Sequence, residues 1–426
     1  MTLHTDRALG FWDLLSIGLN AIVGSSIFLF PGLLAANLGP ASALAFAFTG
    51  ILLIAVGLCY AEASSRYKDP GGAYLYARDA FGEWPGFAVG WLSWVVQILS
   101  WAAVANAIAV YLGAIDPHWG GPRHIKTVAA LAILGLGFVN YRGVRLGAWT
   151  SDFFTAAKLV PLAAFLAAGL WKVKSRAFVP FAPHGFKPLA QSAFLVYFAY
   201  QGFESIPVPS GEARSPGRNV PLAVVSSLVF SALLYTAIQA VALGVDPALA
   251  GSRTPLADAA RIALGPQGAL LLALGAVLST FGYNAGSALV TPRYLLALAE
   301  DGHLPASLSR IHPRYHTPSR AIVATISTTL LLALFFDFEK LVDFSNVVVS
   351  AQYLATCLAI PVLRRKNRAA PGSFRIPGGL FVPAAGAMAI LWLGSQATPR
   401  EYIGSAYLLA AGLVLKLFAG AKRRKE

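Results

Sequence analysis

Two stretches of the chain place glycine and polar residues inside long apolar segments, and both could bind a small charged ligand. The first, Asn20 to Phe28, carries Gly24, Ser25 and Ser26 near the centre of an apolar run. Gly and Ser are poor helix-interior residues. A helix that breaks in a membrane must turn its free amides toward protein or a water-filled cavity, where they suit a small anion such as a carboxylate. The alternative is close helix packing at small residues.

The second stretch, Val196 to Pro207, places Gln201, Gly202 and Glu204 at about the middle of the sixth apolar segment. Taken alone, Gly202 is equally compatible with tight helix packing. Two Gly- or Pro-interrupted segments at corresponding positions of two halves are, however, the best sequence indication of a transporter binding site. The pair of stretches therefore predicts transport.

Lys158 is the one cation that falls near the middle of a predicted apolar segment rather than near an end. It lies about 15 Å from the start of that segment at the rise of an α-helix, and a lysine at mid-membrane costs about 3 kcal/mol on translocon scales. Its ammonium must therefore find acceptors, and the expected ones are the carbonyls between Asn20 and Val23 and oxygens of the eighth segment. The alternative is that the side chain extends to the membrane surface.

Four segments carry polar side chains at helical spacings of three and four residues, which places them on one face. These stripes are Ser93, Gln97 and Ser100 beside Trp101; Ser151, Thr155 and Lys158 beside Asp152; Thr280, Tyr283, Asn284, Ser287 and Thr291; and Asn346, Ser350 and Tyr353. A single Ser or Thr commonly just joins two helices. Four stripes together with two breaks predict a water-accessible central site, which Ser93, Gln97, Asn284 and Ser287 would line.

The elements that position these residues are all α-helices of a membrane bundle. The chain is 57% hydrophobic and only 12% charged, whereas soluble domains are about a quarter charged. Twelve apolar segments are predicted to span the membrane, at residues 11–37, 42–65, 86–113, 125–140, 149–171, 188–209, 221–243, 268–298, 320–336, 341–363, 379–397 and 402–419. We expect a first repeat at residues 1–171, a second at 172–363, and two further helices with a tail at 364–426. Five helices per repeat would make the repeats inverted.

The charge distribution fits a membrane protein better than a nucleic-acid-binding one. The net charge is +14, but Lys and Arg lie in short loops and concentrate on one side, which predicts that both termini are cytoplasmic. All seven histidines fall in loops, and Cys59 and Cys357 each lie in an apolar segment. No metal, haem, disulfide or nucleotide motif is present, so we expect neither a cofactor nor an enzyme. A sensor or a scaffold would leave the two polar breaks unexplained.

Several motifs resemble those of the amino acid–polyamine–organocation (APC) permeases. They are Gly24-Ser25-Ser26-Ile27-Phe28; Asp69-Pro70-Gly71-Gly72-Ala73-Tyr74-Leu75-Tyr76 with Phe81-Gly82; Phe198 to Glu204; Glu212, Arg214, Pro216, Arg218 and Pro221; Asp301 to Pro305 with Thr317-Pro318; and Phe374 to Gly379. The resemblance covers nearly the whole chain. It implies a leucine-transporter-like five-plus-five inverted repeat with broken helices 1 and 6, in a plasma-membrane amino acid transporter that works by alternating access.

The same resemblance implies a substrate site. The amides around Ser25, Ser26 and Ile27, beside Gly24, would bind the substrate carboxylate, and the carbonyls of Ala21, Phe198, Ala199 and Glu204 would receive its ammonium. Phe198 stands where the family has an aromatic gate. Lys158 stands where sodium-independent members replace a sodium ion with an ammonium, so transport would be proton-coupled or an exchange.

Three residues depart from the family pattern. Ser26 replaces a glycine and would narrow the cleft or add a hydroxyl to the carboxylate site. Gln201 is polar where the pattern is small or apolar, and could contact the substrate side chain. Glu300 replaces a common basic residue. Neutral L-amino acids are the expected substrates, and the alternative is an antiporter of cationic amino acids or polyamines that would use Glu204 and Gln201.

Overall fold

The computed structural model describes residues 9–67, 72–143, 148–208, 213–366 and 373–423, with side chains given throughout except at 148–152 and 420–423. Motif residues Asp69 to Gly71 and Glu212, and the side chains of Ser151 and Asp152, lie outside this description. Within it the chain is helical. The α-helices are α1 Phe11–Ile22, α2 Ser26–Leu38, α3 Ser42–Ser65, α4 Ala73–Phe81, α5 Glu83–Ile115, α6 Pro122–Tyr141, α7 Ala148–Leu170, α8 Leu189–Ala199, α9 Pro216–Val245, α10 Pro255–Leu264, α11 Pro266–Glu300, α12 Ser319–Phe335, α13 Phe338–Arg365, α14 Phe381–Gly394 and α15 Pro399–Arg423.

Each of the twelve predicted apolar segments contains helix, and the first is split between α1 and α2 as expected. Among the described residues, eight helical stretches are long and apolar enough to cross a membrane, with α2 and α3 forming one stretch; α1, α12 and α14 are apolar but shorter. The helical membrane bundle is therefore confirmed, and twelve crossings remain a prediction. The short helices α4 and α10 were not predicted, because neither forms an apolar run of spanning length.

The order of elements repeats along the chain. Short helix α4 separates α3 from α5, and short helix α10 separates α9 from α11. Each short helix ends at a glycine with a positive φ, 99° at Gly82 and 78° at Gly265, and a long helix starts at the next residue. The packing corresponds as well: α5 packs on α11, α1 packs on α9 and α7, and α8 packs on α3 and α13.

A buried carboxylate ties the end of α3 to α13 and to the chain before α14. Glu62 is fully buried; its Oε2 lies 2.6 Å from Arg364 Nη2 and accepts the Ile376 N–H at 2.9 Å, and its Oε1 lies 2.8 Å from Arg66 Nη2. The charge is thus compensated by two guanidinium groups and a backbone amide, as a buried carboxylate requires.

We expect Glu62→Gln to destabilise the fold by about 3 kcal/mol, because it leaves Arg364 and Arg66 largely buried without their anion. Thermal unfolding of the detergent-purified protein, followed by the loss of the monodisperse gel-filtration peak, measures the effect as a melting temperature several degrees lower. Glu339→Gln, at an exposed position of α13, is the control and should stay within one degree. Equal melting temperatures for the two variants would show that the network adds no stability.

Candidate functional site

The first break leaves a helix N-terminus in the middle of the bundle. The Gly24 N–H turns back to Ile22 O at 2.8 Å, and the amides of Phe28 and Leu29 are bonded to Ser25 O at 3.1 Å. The amides that precede them lie at the start of α2, where a helix supplies no acceptor and its dipole is positive. The Ser25 Oγ is buried and has no hydrogen-bond partner within the described residues. This end of α2 can accept an anion.

The second break follows α8 and depends on Gly202. Its φ is +124°, which L side chains rarely adopt, and a single 3₁₀ turn, Phe203–Ser205, follows. Glu204 is buried within this turn, and its Oε2 accepts the Gly202 N–H at 2.8 Å and the Tyr353 hydroxyl at 2.7 Å. The turn is therefore held to α13 by its own carboxylate.

The two breaks are in direct contact. A Cβ added to Gly202 would lie 2.6 Å from the carbonyl carbon of Ala21 and 2.8 Å from its oxygen. Tyr235 of α9 connects the same two segments, since its hydroxyl donates to Ile22 O at 2.9 Å and to Ala199 O at 3.3 Å. Tyr235 is not predicted from the sequence, because a single tyrosine in an apolar helix gives no periodic pattern.

Lys158 binds the carbonyl end of α1. Its Nζ donates to Asn20 O at 2.9 Å and to Val23 O at 2.8 Å, and the side chain is 0% exposed. The predicted carbonyl partners in the first segment are thus confirmed, and extension to the membrane surface was wrong; the hydrogen bonds found for Lys158 among the described residues do not include the expected oxygen of the eighth segment. The eighth segment contributes through Ser279, whose hydroxyl donates to Val23 O at 3.2 Å. Ser279 is not predicted from the sequence, although it lies four residues before Tyr283 of the polar stripe.

Gln201 is held by protein at both ends of its amide. Its Nε2 donates to Asn346 Oδ1 at 2.7 Å, and its Oε1 accepts from the Ser345 hydroxyl at 3.0 Å. Ser345 Oγ lies 2.9 Å from Ser100 Oγ of α5. These contacts favour a role for Gln201 in positioning the second break against α13 and α5, whereas its proposed contact with the substrate side chain remains a prediction.

Phe198 lies on the side of the breaks where α2 and α13 approach each other. Its ring centroid is 6.5 Å from that of Phe30 and 6.3 Å from that of Phe338, and its side chain is 6% exposed. Three aromatic rings from three helices thus cluster at this point, and the part of Phe198 as a gate remains a prediction.

The residues predicted to line the site lie on α5 and α11 but differ in their hydrogen bonds and burial. Ser93 Oγ donates to Gln352 Oε1 at 3.0 Å, and Gln97 is half-buried one turn further along α5. Asn284 Nδ2 donates to Thr280 O at 2.6 Å. In the described part of the chain the Asn284 Oδ1 is buried without a partner, and Ser287 is buried beside it on α11.

Comparison with known proteins identifies transporters. The family described as "Amino acid permease" matches residues 9–410. Similar proteins include the serine/threonine exchanger SteT of Bacillus subtilis (27% identical, covering 99% of this chain and 100% of that protein). Others are the methylthioribose transporter of Bacillus subtilis (28%, covering 91% and 87%) and the chloroplastic cationic amino acid transporter 9 of Arabidopsis thaliana (30%, covering 72% and 58%).

Gly202→Ala is expected to disrupt the contact between the breaks, because the new methyl group meets backbone atoms of Ala21 and the φ is unfavourable for alanine. We expect a destabilisation of about 2 kcal/mol or more, measured as a lower melting temperature. The control is Gly286→Ala in α11, where a Cβ meets nothing within 4 Å and alanine favours the helix. A Gly202→Ala variant as stable as the control would refute the close approach.

Proposed function

Because the chain belongs to the amino acid permease family, we propose that it moves neutral L-amino acids across the plasma membrane by sodium-independent secondary transport with alternating access. The observation that carries this proposal is the contact between the two breaks beside the buried Lys158. An amino acid needs an anion site and a cation site a few ångströms apart. The two breaks supply free backbone amides for the anion and free backbone carbonyls for the cation.

The carboxylate is assigned to the start of α2. The amides of Ser25, Ser26 and Ile27 and the helix dipole favour an anion there. The Ser25 hydroxyl, which has no partner among the described residues, offers one more donor. The ammonium is assigned to carbonyls of Ala21, Phe198, Ala199 and Glu204. Ala199 O already lies near the Tyr235 hydroxyl, but a carbonyl oxygen has two lone pairs and can accept again.

Lys158 is assigned the part of a bound cation. Its ammonium joins α7 to the end of α1 through two carbonyls, and Ser279 brings α11 to the same Val23 oxygen. A sodium ion placed there would compete with an ammonium group that belongs to the chain. We therefore propose either proton coupling through Lys158 or substrate exchange.

Neutral substrates are favoured over cationic amino acids and polyamines by the contacts of Glu204. Its Oε2 already accepts from Gly202 and Tyr353, and Gln201 is used by Asn346 and Ser345. A second positive charge placed there would have to share oxygens that these donors already use.

The repeated order of elements supports a five-plus-five inverted repeat, in which α1 to α7 form one unit and α8 to α13 the other. The broken pair α1 and α2 counts as one segment, and the short helices α4 and α10 are not counted. This arrangement agrees with the proposed division at residues 1–171, 172–363 and 364–426. The loop charges further support cytoplasmic termini.

We expect the purified protein in liposomes to take up or exchange labelled neutral amino acids without sodium. An inward proton gradient should accelerate uptake if the carrier is proton-coupled, and internal amino acid should do so if it is an exchanger. Replacement of the ammonium in Lys158→Met should lower transport at least tenfold, because Asn20 O and Val23 O lose their donor.

Lys340→Met, at an exposed position of α13, is the control and should transport normally. No movement of any amino acid or amine would reject the proposed function. Strict sodium dependence would reject the part assigned to Lys158 while leaving amino acid transport standing.

The carboxylate assignment predicts that Ser25→Ala raises KM about tenfold or more, since one hydrogen bond to a charged group is worth about 1.5 kcal/mol or more. Ser26→Gly should also change KM, because the cleft widens and a hydroxyl is lost. Ser231→Ala removes an equally buried, unpartnered hydroxyl from α9 and should leave KM unchanged. If Ser25→Ala and Ser231→Ala behave alike, the start of α2 has a packing role.

A further inference from the structure

Two loops at the same end of the bundle are fixed to each other. The Thr317 hydroxyl donates to Tyr141 O at 2.9 Å, at the end of α6. A Cβ added to Gly143 would lie 2.7 Å from Tyr315 O. His312 N–H donates to Thr317 O at 2.8 Å, which closes the second loop on itself. The described ends of these loops, residues 141–143 and 312–317, are therefore held at a fixed distance from each other.

These loops bring two arginines to one aromatic ring. The guanidinium carbons of Arg142 and Arg314 lie 5.3 Å and 5.5 Å from the ring centroid of Tyr315, and both side chains are exposed. Residues 302–320 contain no Asp or Glu. The ion pairs found among the described residues involve neither arginine. Two like charges are thus held together without a protein anion.

The pair lies beside a surface suited to acyl chains. Arg142 also contacts the ring of Phe138, at 5.4 Å, and Phe138 is 60% exposed one turn earlier on α6, a helix apolar and long enough to span a membrane. Ile311 in the facing loop and Val323 near the start of α12 are also exposed. Arginines next to exposed apolar side chains at the end of a spanning helix are at the level of lipid headgroups.

We propose that Arg142 and Arg314 form a binding site for the phosphodiester of an anionic phospholipid. Planar guanidinium groups match phosphate oxygens in pairs, and Arg310 and Arg320, exposed in the same loop and at the start of α12, add positive charge. The lipid is favoured over free phosphate because its acyl chains would cover Phe138 and Ile311, whereas inorganic phosphate makes no use of them. This inference does not depend on the transported substrate.

The test is native mass spectrometry of the full-length protein in a neutral detergent, titrated with phosphatidylglycerol or phosphatidylcholine. We expect preferential retention of phosphatidylglycerol. Arg142→Gln/Arg314→Gln should weaken its apparent affinity about 25-fold, since each basic group near a lipid surface contributes about fivefold. The apparent affinity of Arg142→Lys/Arg314→Lys should lie between those of the native protein and the glutamine variant, because lysine keeps the charge but loses the paired hydrogen bonds.

The control, Arg218→Gln/Arg365→Gln, removes two exposed arginines from the same end of the bundle and should change affinity less than twofold. An equal loss in this control would show diffuse attraction and overturn the site. Displacement of the lipid by millimolar inorganic phosphate would overturn the choice of ligand. If the glutamine variant does not fold, the lysine variant decides: an affinity unchanged from the native protein rejects the site.

Discussion

Three of the last four carbonyls of the broken first segment, those of Asn20, Ile22 and Val23, are satisfied by donors inside the bundle, and the surrounding helices supply most of these donors. Asn20 O is bonded to Lys158, Ile22 O to Gly24 and Tyr235, and Val23 O to Lys158 and Ser279. These donors come from α7, α9 and α11, helices far apart in sequence. An unsatisfied backbone group in hydrocarbon costs several kcal/mol. The break in the first segment therefore constrains the positions of α7, α9 and α11.

Ala21 O differs from its neighbours. Among the described residues no donor is found for it; it lies against Gly202, and Ala21 is only half-buried. Within the described residues, this carbonyl is thus the one in the group that has both lone pairs available to a ligand. It lies between the two breaks, and only a glycine at 202 lets the second backbone come this close. The available Ala21 carbonyl and Gly202 therefore belong to the same contact between the two breaks.

The sequence carried local features of this site but not its long-range partners. The breaks were predictable because Gly24, Ser25 and Gly202 contradict the apolar helices around them. The partners of Lys158 were predictable because a buried ammonium needs acceptors, and a broken helix exposes them. Tyr235 was not, since it is a single polar residue in an apolar helix; Ser279 lies four residues before Tyr283 and eight before Ser287, so the spacing of that stripe could have identified it. The Gln201–Asn346 bond joins residues 145 positions apart, and no local pattern specifies such a separation.

Tyr235 has one hydroxyl proton and two acceptors. Ile22 O belongs to the first break and Ala199 O to the second, at 2.9 Å and 3.3 Å, so the hydroxyl proton can point at only one of them at a time, while Ile22 O keeps the Gly24 N–H in either case. A rotation about the C–O bond of the tyrosine transfers the hydrogen bond from one carbonyl to the other, without moving either backbone. The two broken segments therefore share one hydrogen-bond donor. A small displacement of α1 relative to α8 changes which of the two carbonyls accepts the hydrogen bond.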